Sequence, residues 1–241
     1  MALGVALFHW VGVRRGYHPD FLADVSLWML VGGILGARID SALHGLHRFE
    51  ENPFWILNLR EGGFAIHGAI FGGMLGNILR FRKSGYPLLE GLDMALAILL
   101  PPMALGRVGC LLQGCCVGKI TESAWGITYP GTTVARYPVQ MFEAGLDLVF
   151  WPLVLLVFFR SARQGQTVCA MLATYAFIRF TAEFFRETPM WGPLTREQWG
   201  SVSIFTVAIL ALLLYKGPPR YKPEGGDEPP RIVPKKKKGR S

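Results

Sequence analysis

Apolar residues in this chain gather into long runs separated by short polar stretches that carry glycine, proline or basic side chains. The runs cover residues 1–13, 21–43, 64–81, 88–105, 141–159, 167–185 and 201–215. Since about 20 mostly apolar residues cross the hydrocarbon layer of a bilayer as a helix, the pattern predicts an all-α polytopic membrane protein with about seven transmembrane helices, the first and last of them short. Two runs carry glycine at helical spacing: Gly32, Gly33 and Gly36 in the second, and Gly68, Gly72 and Gly76 in the third. Smooth strips of this kind let helix backbones approach closely in lipid, so packing is their first explanation. Charged residues also interrupt the runs: Asp24, Arg38, Asp40, Asp93, Glu143, Asp147, Arg179 and Glu183. At a bilayer centre each costs about 2.5–3.5 kcal/mol even on the lower scales, so these groups are expected to pair or to face water.

Composition agrees with the pattern. Hydrophobic residues make up 51% of the 241, and the mean hydropathy is +0.32, more apolar than a soluble domain of this length. Basic residues set the expected orientation. Arg14, Arg15, Arg80, Arg82, Lys83, Arg160 and Arg163 crowd three short connections on one side, whereas those on the other side are diluted over much longer connections. The crowded side is therefore expected to be cytoplasmic, with the N-terminus outside and the C-terminus inside. The first run has no basic leader and no small-residue cleavage site before Arg14, and reads as a retained span. Residues 1–215 are expected to form one integral domain and 216–241 a basic, disordered cytoplasmic tail. That tail, with Lys235–Lys238, supplies most of the net charge of +8. A Pro/Gly-rich basic stretch beside a last span points to anionic lipid and topology rather than to nucleic acid.

Four places carry candidate chemistry. Gly106–Gly118, GRVGCLLQGCCVG, follows an apolar run broken by Pro101-Pro102 and sets Arg107 beside glycine-rich backbone. That suits an anionic head group, and equally a loop whose arginine snorkels to lipid phosphates. Tyr175, Arg179, Glu183 and Arg186 follow at steps of 4, 4 and 3, one helical stripe that reads as a binding wall or as an Arg179–Glu183 pair neutralising itself. His67, near the start of the third run, is either a core histidine or a proton-transfer group, while His44 and His47 read as solvated loop. Cys110, Cys115 and Cys116 lie close together in what reads as an outer loop, with Cys169 in the sixth run. Their spacing is a weak match to a zinc site, and a disulfide from Cys110 to Cys115 or Cys116 fits an oxidising compartment.

In order and spacing, four segments resemble the prolipoprotein diacylglyceryl transferase family over roughly residues 20–210. EGGFAIHGAIFGG (61–73) is similar to its Gly-Gly-x-x-x-His-Gly segment, and GRVGCLLQGCCVG to its Gly-Arg-(Ile/Leu)-Gly signature. RYPVQMFE (136–143) is similar to its Arg-His-Pro-x-Gln-Leu-Tyr-Glu block, and YAFIRFTAEFFRE (175–187) to its Tyr-x-x-x-Arg-Phe-x-x-Glu-x-x-Arg block. The resemblance implies transfer of the diacylglyceryl group of phosphatidylglycerol to the lipobox cysteine of a prolipoprotein, giving a thioether and releasing glycerol phosphate. It implies no cofactor and no metal, and places the enzyme in the bacterial inner membrane with its active site toward the outer leaflet. By resemblance, Arg107 and Arg179 clamp the phosphate, His67 assists deprotonation of the thiol, and Tyr175 orients the head group. Gly62, Gly63, Gly68 and Gly118 allow close approach, Cys110 and Cys115 line the substrate site, and Arg136, Gln140, Glu143, Glu183 and Arg186 brace it. The chain departs from the family where Cys110 replaces a common Asn, where Cys115 replaces an acid found in some members, and in the missing Arg-Trp-Tyr-Gly segment. Two other readings are a membrane thiol-redox or metal-handling protein built on Cys110, Cys115 and Cys116, and a non-catalytic phosphatidylglycerol-binding relative.

Overall fold

The computed structural model of the chain describes residues 2–44 and 66–221. Helices stand at all seven expected places: α1 (Ala2–Arg14), α2 (Pro19–His44), α3 (Ile66–Ser84), α4 (Leu88–Ala97), α5 (Leu100–Leu112), α6 (Val139–Arg160), α7 (Gln166–Glu183) and α8 (Arg196–Leu214). The short strands β1 (Ile127–Thr128) and β2 (Ala135–Arg136) pair antiparallel, as do β3 (Met190–Trp191) and β4 (Leu194–Thr195). Three of the described helices, α2, α6 and α8, are long and apolar enough to cross a membrane, or four spans if the bent pair α4–α5 is one. The expected fourth run is thus two helices. It breaks at Ile98–Leu99, not at the prolines, because Pro101 and Pro102 sit in the first turn of α5, where no intrahelical N–H is required of them. The Ala97 carbonyl at this break accepts a hydrogen bond from Trp151 Nε1 at 3.0 Å. Helix α5 then runs through Arg107 to Leu112, so the stretch expected as an outer loop from Cys110 starts inside a helix.

The described residues divide into two compact units, one within 8–95 and including Tyr221, the other within 2–7 and 96–220. In the first, α2 and α3 pack along the two glycine strips. A Cβ at Gly72 would collide with the Gly32 carbonyl, and one at Gly36 with that of Gly68. Asp40 is satisfied in the same seam: its carboxylate accepts the Gly68 N–H at 2.8 Å, one of the orphan donors of the first turn of α3. Asp24 pairs with Arg80. Tyr17, Phe21, Phe81 and Tyr86 close the end of this unit, with ring centroids 4.7–6.2 Å apart.

In the second unit α6 packs against α5 and α7, and α7 against α8. At one end α5 and α7 finish while α6 and α8 begin, and the strand pairs fold over them. Lys119 N–H donates to the Phe185 carbonyl at 2.9 Å, and Gly118 N–H to that of Tyr137 at 2.9 Å. Thr195 caps α8 in a reciprocal box with Gln198. At the opposite end Arg220 donates to Ser161 Oγ (2.8 Å) and Thr167 Oγ1 (2.9 Å), which holds residues just past α8 against α6 and α7. Leu148, Val149, Leu153, Val207, Leu210 and Leu213 are exposed, the apolar outer faces of the two long spans.

Candidate active site

At the first of these ends the sequence places three arginines, on α5, on α7 and in the turn after α7, and the fold brings them onto one carboxylate of α6. Glu143 sits one turn into α6 and is buried. Its Oε2 lies 2.7 Å from Arg107 Nε of α5, and its Oε1 lies 3.6 Å from Arg179 Nη1 of α7 and 3.0 Å from Arg186 Nη2, which stands in the turn after α7 rather than on the helical stripe expected to reach it. Arg179 also pairs with Glu183 at 2.9 Å, one turn along α7. The expected i, i+4 pair therefore exists as part of a network. Glu183 is fixed in turn by the hydroxyls of Thr188 (2.5 Å) and Thr195 (3.3 Å). Three guanidinium groups on a buried carboxylate would be costly in lipid if any partner were missing, and here each has one.

Arg107, Arg179 and Tyr175 face a common cavity of about 10 Å³, also lined by Met103, Glu143, Asp147 and Ile178. That is room for about one water molecule. A guanidinium carries five donors; Arg107 spends Nε and Arg179 spends Nη1 on carboxylates, so both keep N–H groups able to turn toward an anion. Asp147, not among the expected site residues, is buried one turn below Glu143 on the same face of α6. Gln140, Glu143 and Asp147 recur at i, i+3 and i+7 along an otherwise apolar helix, a signal legible in sequence.

Beside this network stands a second cluster. Helix α5 ends in a Schellman turn: Gly114, in the left-handed region at φ +66°, donates to the Leu111 carbonyl at 3.1 Å, and Cys115 donates to that of Cys110 at 3.1 Å. The turn folds Cys115 back over Cys110, and the sulfurs of Cys110, Cys115 and Cys116 all lie within 4.8 Å of one another. These three are free thiols rather than the expected disulfide. Desolvation, then the neighbouring Cys116 and Cys110, push the Cys115 thiol up to about 11. Gln140 ties the loop to α6, its Nε2 donating to the Cys115 carbonyl at 2.5 Å while its Oε1 accepts from the Tyr129 hydroxyl at 3.1 Å. Tyr129 had no signal in the sequence; burial raises its phenol above 10, and Gln140 pulls it back in part.

The remaining expected residues scatter. Arg136 donates to the Gly118 carbonyl and to Glu187 at 3.0 Å each, bracing the loop after the thiols. Gly118 is required by close packing, since a Cβ there would meet the Phe185 and Tyr137 carbonyls. Gly68 belongs to the α2–α3 seam. His67 is exposed in the first turn of α3, in the other compact unit. Gly62 and Gly63 lie outside the described residues, as does His47.

A sequence model described as prolipoprotein diacylglyceryl transferase matches residues 1–214. The protein of Clostridium perfringens (strain 13 / Type A) named phosphatidylglycerol–prolipoprotein diacylglyceryl transferase 2 is 33% identical over 211 residues, covering 85% of this chain and 81% of the relative. The transferase so named in Gloeobacter violaceus is 33% identical over 221 residues, 87% of this chain and 82% of its own length. That of Geobacter sulfurreducens is 32% identical over 213 residues, 83% and 81% respectively.

Proposed function

We propose, from the premise that the chain belongs to the prolipoprotein diacylglyceryl transferase family, that it moves the diacylglyceryl group of phosphatidylglycerol onto a lipobox cysteine thiol of a prolipoprotein, forming a thioether and releasing glycerol phosphate. The observation that carries the reading is the convergence of Arg107 and Arg179, from different helices, on one cavity. Attack of sulfur on the glycerol carbon breaks a carbon–oxygen bond and leaves the electron pair on a phosphate oxygen. Guanidinium donors that turn from the carboxylates to that oxygen stabilise the developing charge. Two guanidinium groups suit a phosphoester better than lysines would, because their planar forks bind two oxygens at once. Glu143 and Glu183 hold the forks in place before the lipid enters, and the phosphate takes up the donors the carboxylates leave. Tyr175, on the cavity wall, orients the head group.

By family resemblance His67 accepts the thiol proton, and the active end faces the outer leaflet of the inner membrane. The bulk of residues 1–215 acts as the integral transferase domain, and the tail that follows is cytoplasmic. The test is transfer from phosphatidylglycerol to a lipobox peptide by the purified protein. Arg107→Ala and Arg179→Ala are each expected to lower the rate by about 10²–10³-fold, the cost of losing one preorganised donor. His67→Gln is expected to lower it as well, by the loss of the proton acceptor. Full activity in both arginine variants would remove the phosphate clamp.

A further inference from the structure

We propose that Cys110, Cys115 and Cys116 form a three-thiolate site for a soft closed-shell cation, Zn(II) or Cu(I), whose open position receives the thiol of the acceptor cysteine. The second half of this proposal rests on the transferase reading above; the first does not. In sequence the three cysteines lack the paired ligands of a zinc motif, but the Schellman turn supplies by backbone geometry what the spacing lacks. It returns Cys115 to Cys110, and Cys116, the one non-glycine residue at positive φ among the described residues (φ 60°), turns its own sulfur to the same place. Left-handed backbone at a non-glycine residue costs about 1 kcal/mol or more and is kept where the surroundings over-determine it.

Three sulfurs at about 2.3 Å from one tetrahedral ion stand about 3.8 Å apart. The sulfurs here lie within 4.8 Å, and Cys115 and Cys116 are exposed, so rotation of their side chains closes the difference. Thiolates select Zn(II) and Cu(I) over harder ions. Three protein ligands with the fourth position open is the stoichiometry of a reactive site, whereas structural zinc sites are closed by four. The hydrogen bond from Gln140 to the Cys115 carbonyl, backed by Tyr129, fixes the ligand loop to α6. Cys110 follows Arg107 by one turn of α5, and Gln140 precedes Glu143 by one turn of α6, so the thiols stand next to the arginine network.

An acceptor thiol entering the open position forms a sulfur–metal bond and gives up its proton, because a metal-bound thiol is deprotonated outright, and in the transferase reading His67 is the group that takes it. Its sulfur then attacks the glycerol carbon as the carbon–oxygen bond to phosphate breaks toward Arg107 and Arg179. The cation keeps its oxidation state throughout.

The full chain, purified in detergent under argon without chelator, is expected to carry about one zinc or copper per molecule by elemental analysis, which tells the two ions apart. Cys115→Ser and Cys116→Ser should lose it, and Cys169→Ser should keep it. In wild-type protein loaded with Co(II), the thiolate-to-cobalt charge-transfer absorption should rise by about a third when a lipobox cysteine peptide adds a fourth sulfur, and should not move with the serine peptide. Maleimide should label the three thiols only after chelation. Metal-free protein whose three thiols all react at once, or a disulfide among them, overturns the site. Full transfer by metal-free protein overturns the thiol-binding role but leaves the transferase standing. A loaded site in a protein that transfers nothing leaves the site standing and sinks the transferase.

Discussion

Glu143 is the residue on which the network turns, and magnitudes separate it from the ion pairs around it. Removing one partner of a buried charge network costs about 3–5 kcal/mol, because the remaining charges stay buried without compensation. Glu143→Gln keeps the shape and removes the charge from three arginines, so its thermal midpoint in detergent is expected to fall well below wild type. Glu187→Gln, which touches only the exposed end of the Arg136 pair, is worth about 0–1 kcal/mol and should be near neutral. Equal midpoints for the two variants would show that the network carries no stability. Tyr129 gives a pH-dependent counterpart. Burial raises its phenol above 10 in the folded chain, so the neutral form is favoured by folding. The resulting stability is complete below about pH 10, the unfolded value, and is lost as pH rises through the raised folded value. Midpoints of wild type and Tyr129→Phe should run parallel from pH 6 to 9 and converge above pH 10. A constant gap through pH 11 would place the phenol in solvent.

Helices were the most legible level of this chain, and the reasons differ element by element. The runs that become α2, α6 and α8 announce themselves because most of each is apolar yet left uncovered by the rest of the chain, a surface that suits lipid and needs no polar partner. Helix α7 was legible through its charged stripe, since Arg179 and Glu183 make sense in lipid only if something across from them answers. That Glu143 answers both arginines of that stripe and Arg107 as well was not legible, because it depends on how α5, α6 and α7 meet. The α4–α5 break was misplaced by the usual meaning of proline: two prolines inside an apolar run suggest a kink at themselves, yet at the start of a helix they fit without loss. The glycine strips were read correctly, and they carry a prediction. At Gly72 a side chain would strike the Gly32 carbonyl of the facing helix, which is backbone and cannot swing aside. Gly72→Val should therefore force α2 and α3 apart and lower the thermal midpoint strongly. Gly145→Ala, in α6 with open space around it, should be neutral or gain about 0.5–1 kcal/mol from helix propensity. Similar losses in both would mean that the seam does not govern stability.

At the scale of the whole molecule the question is which side of the membrane the arginine network serves, and α6 provides the ruler. Its 22 residues rise about 33 Å at 1.5 Å each, enough to cross the hydrocarbon layer. Glu143 lies in its first turns, where Gln140 also ties down the thiol loop, whereas Arg160, Arg163 and the anchored Arg220 gather at its last. The two ends must then lie in different aqueous phases. Short connections rich in arginine are expected on the cytoplasmic side, and we propose that the Arg160–Arg163 turn is inside and the thiols outside, where an exported acceptor cysteine would arrive. In intact spheroplasts, a membrane-impermeant maleimide is expected to label an engineered cysteine at Glu122 in the loop after the thiols, in a background with Cys110, Cys115 and Cys116 replaced by serine. A cysteine at Arg163 should react only after the membrane is opened. The reverse pattern would put the guanidinium cluster on the cytoplasmic face, away from any exported substrate, and the assignment of this end as the lipidating one would fall with it.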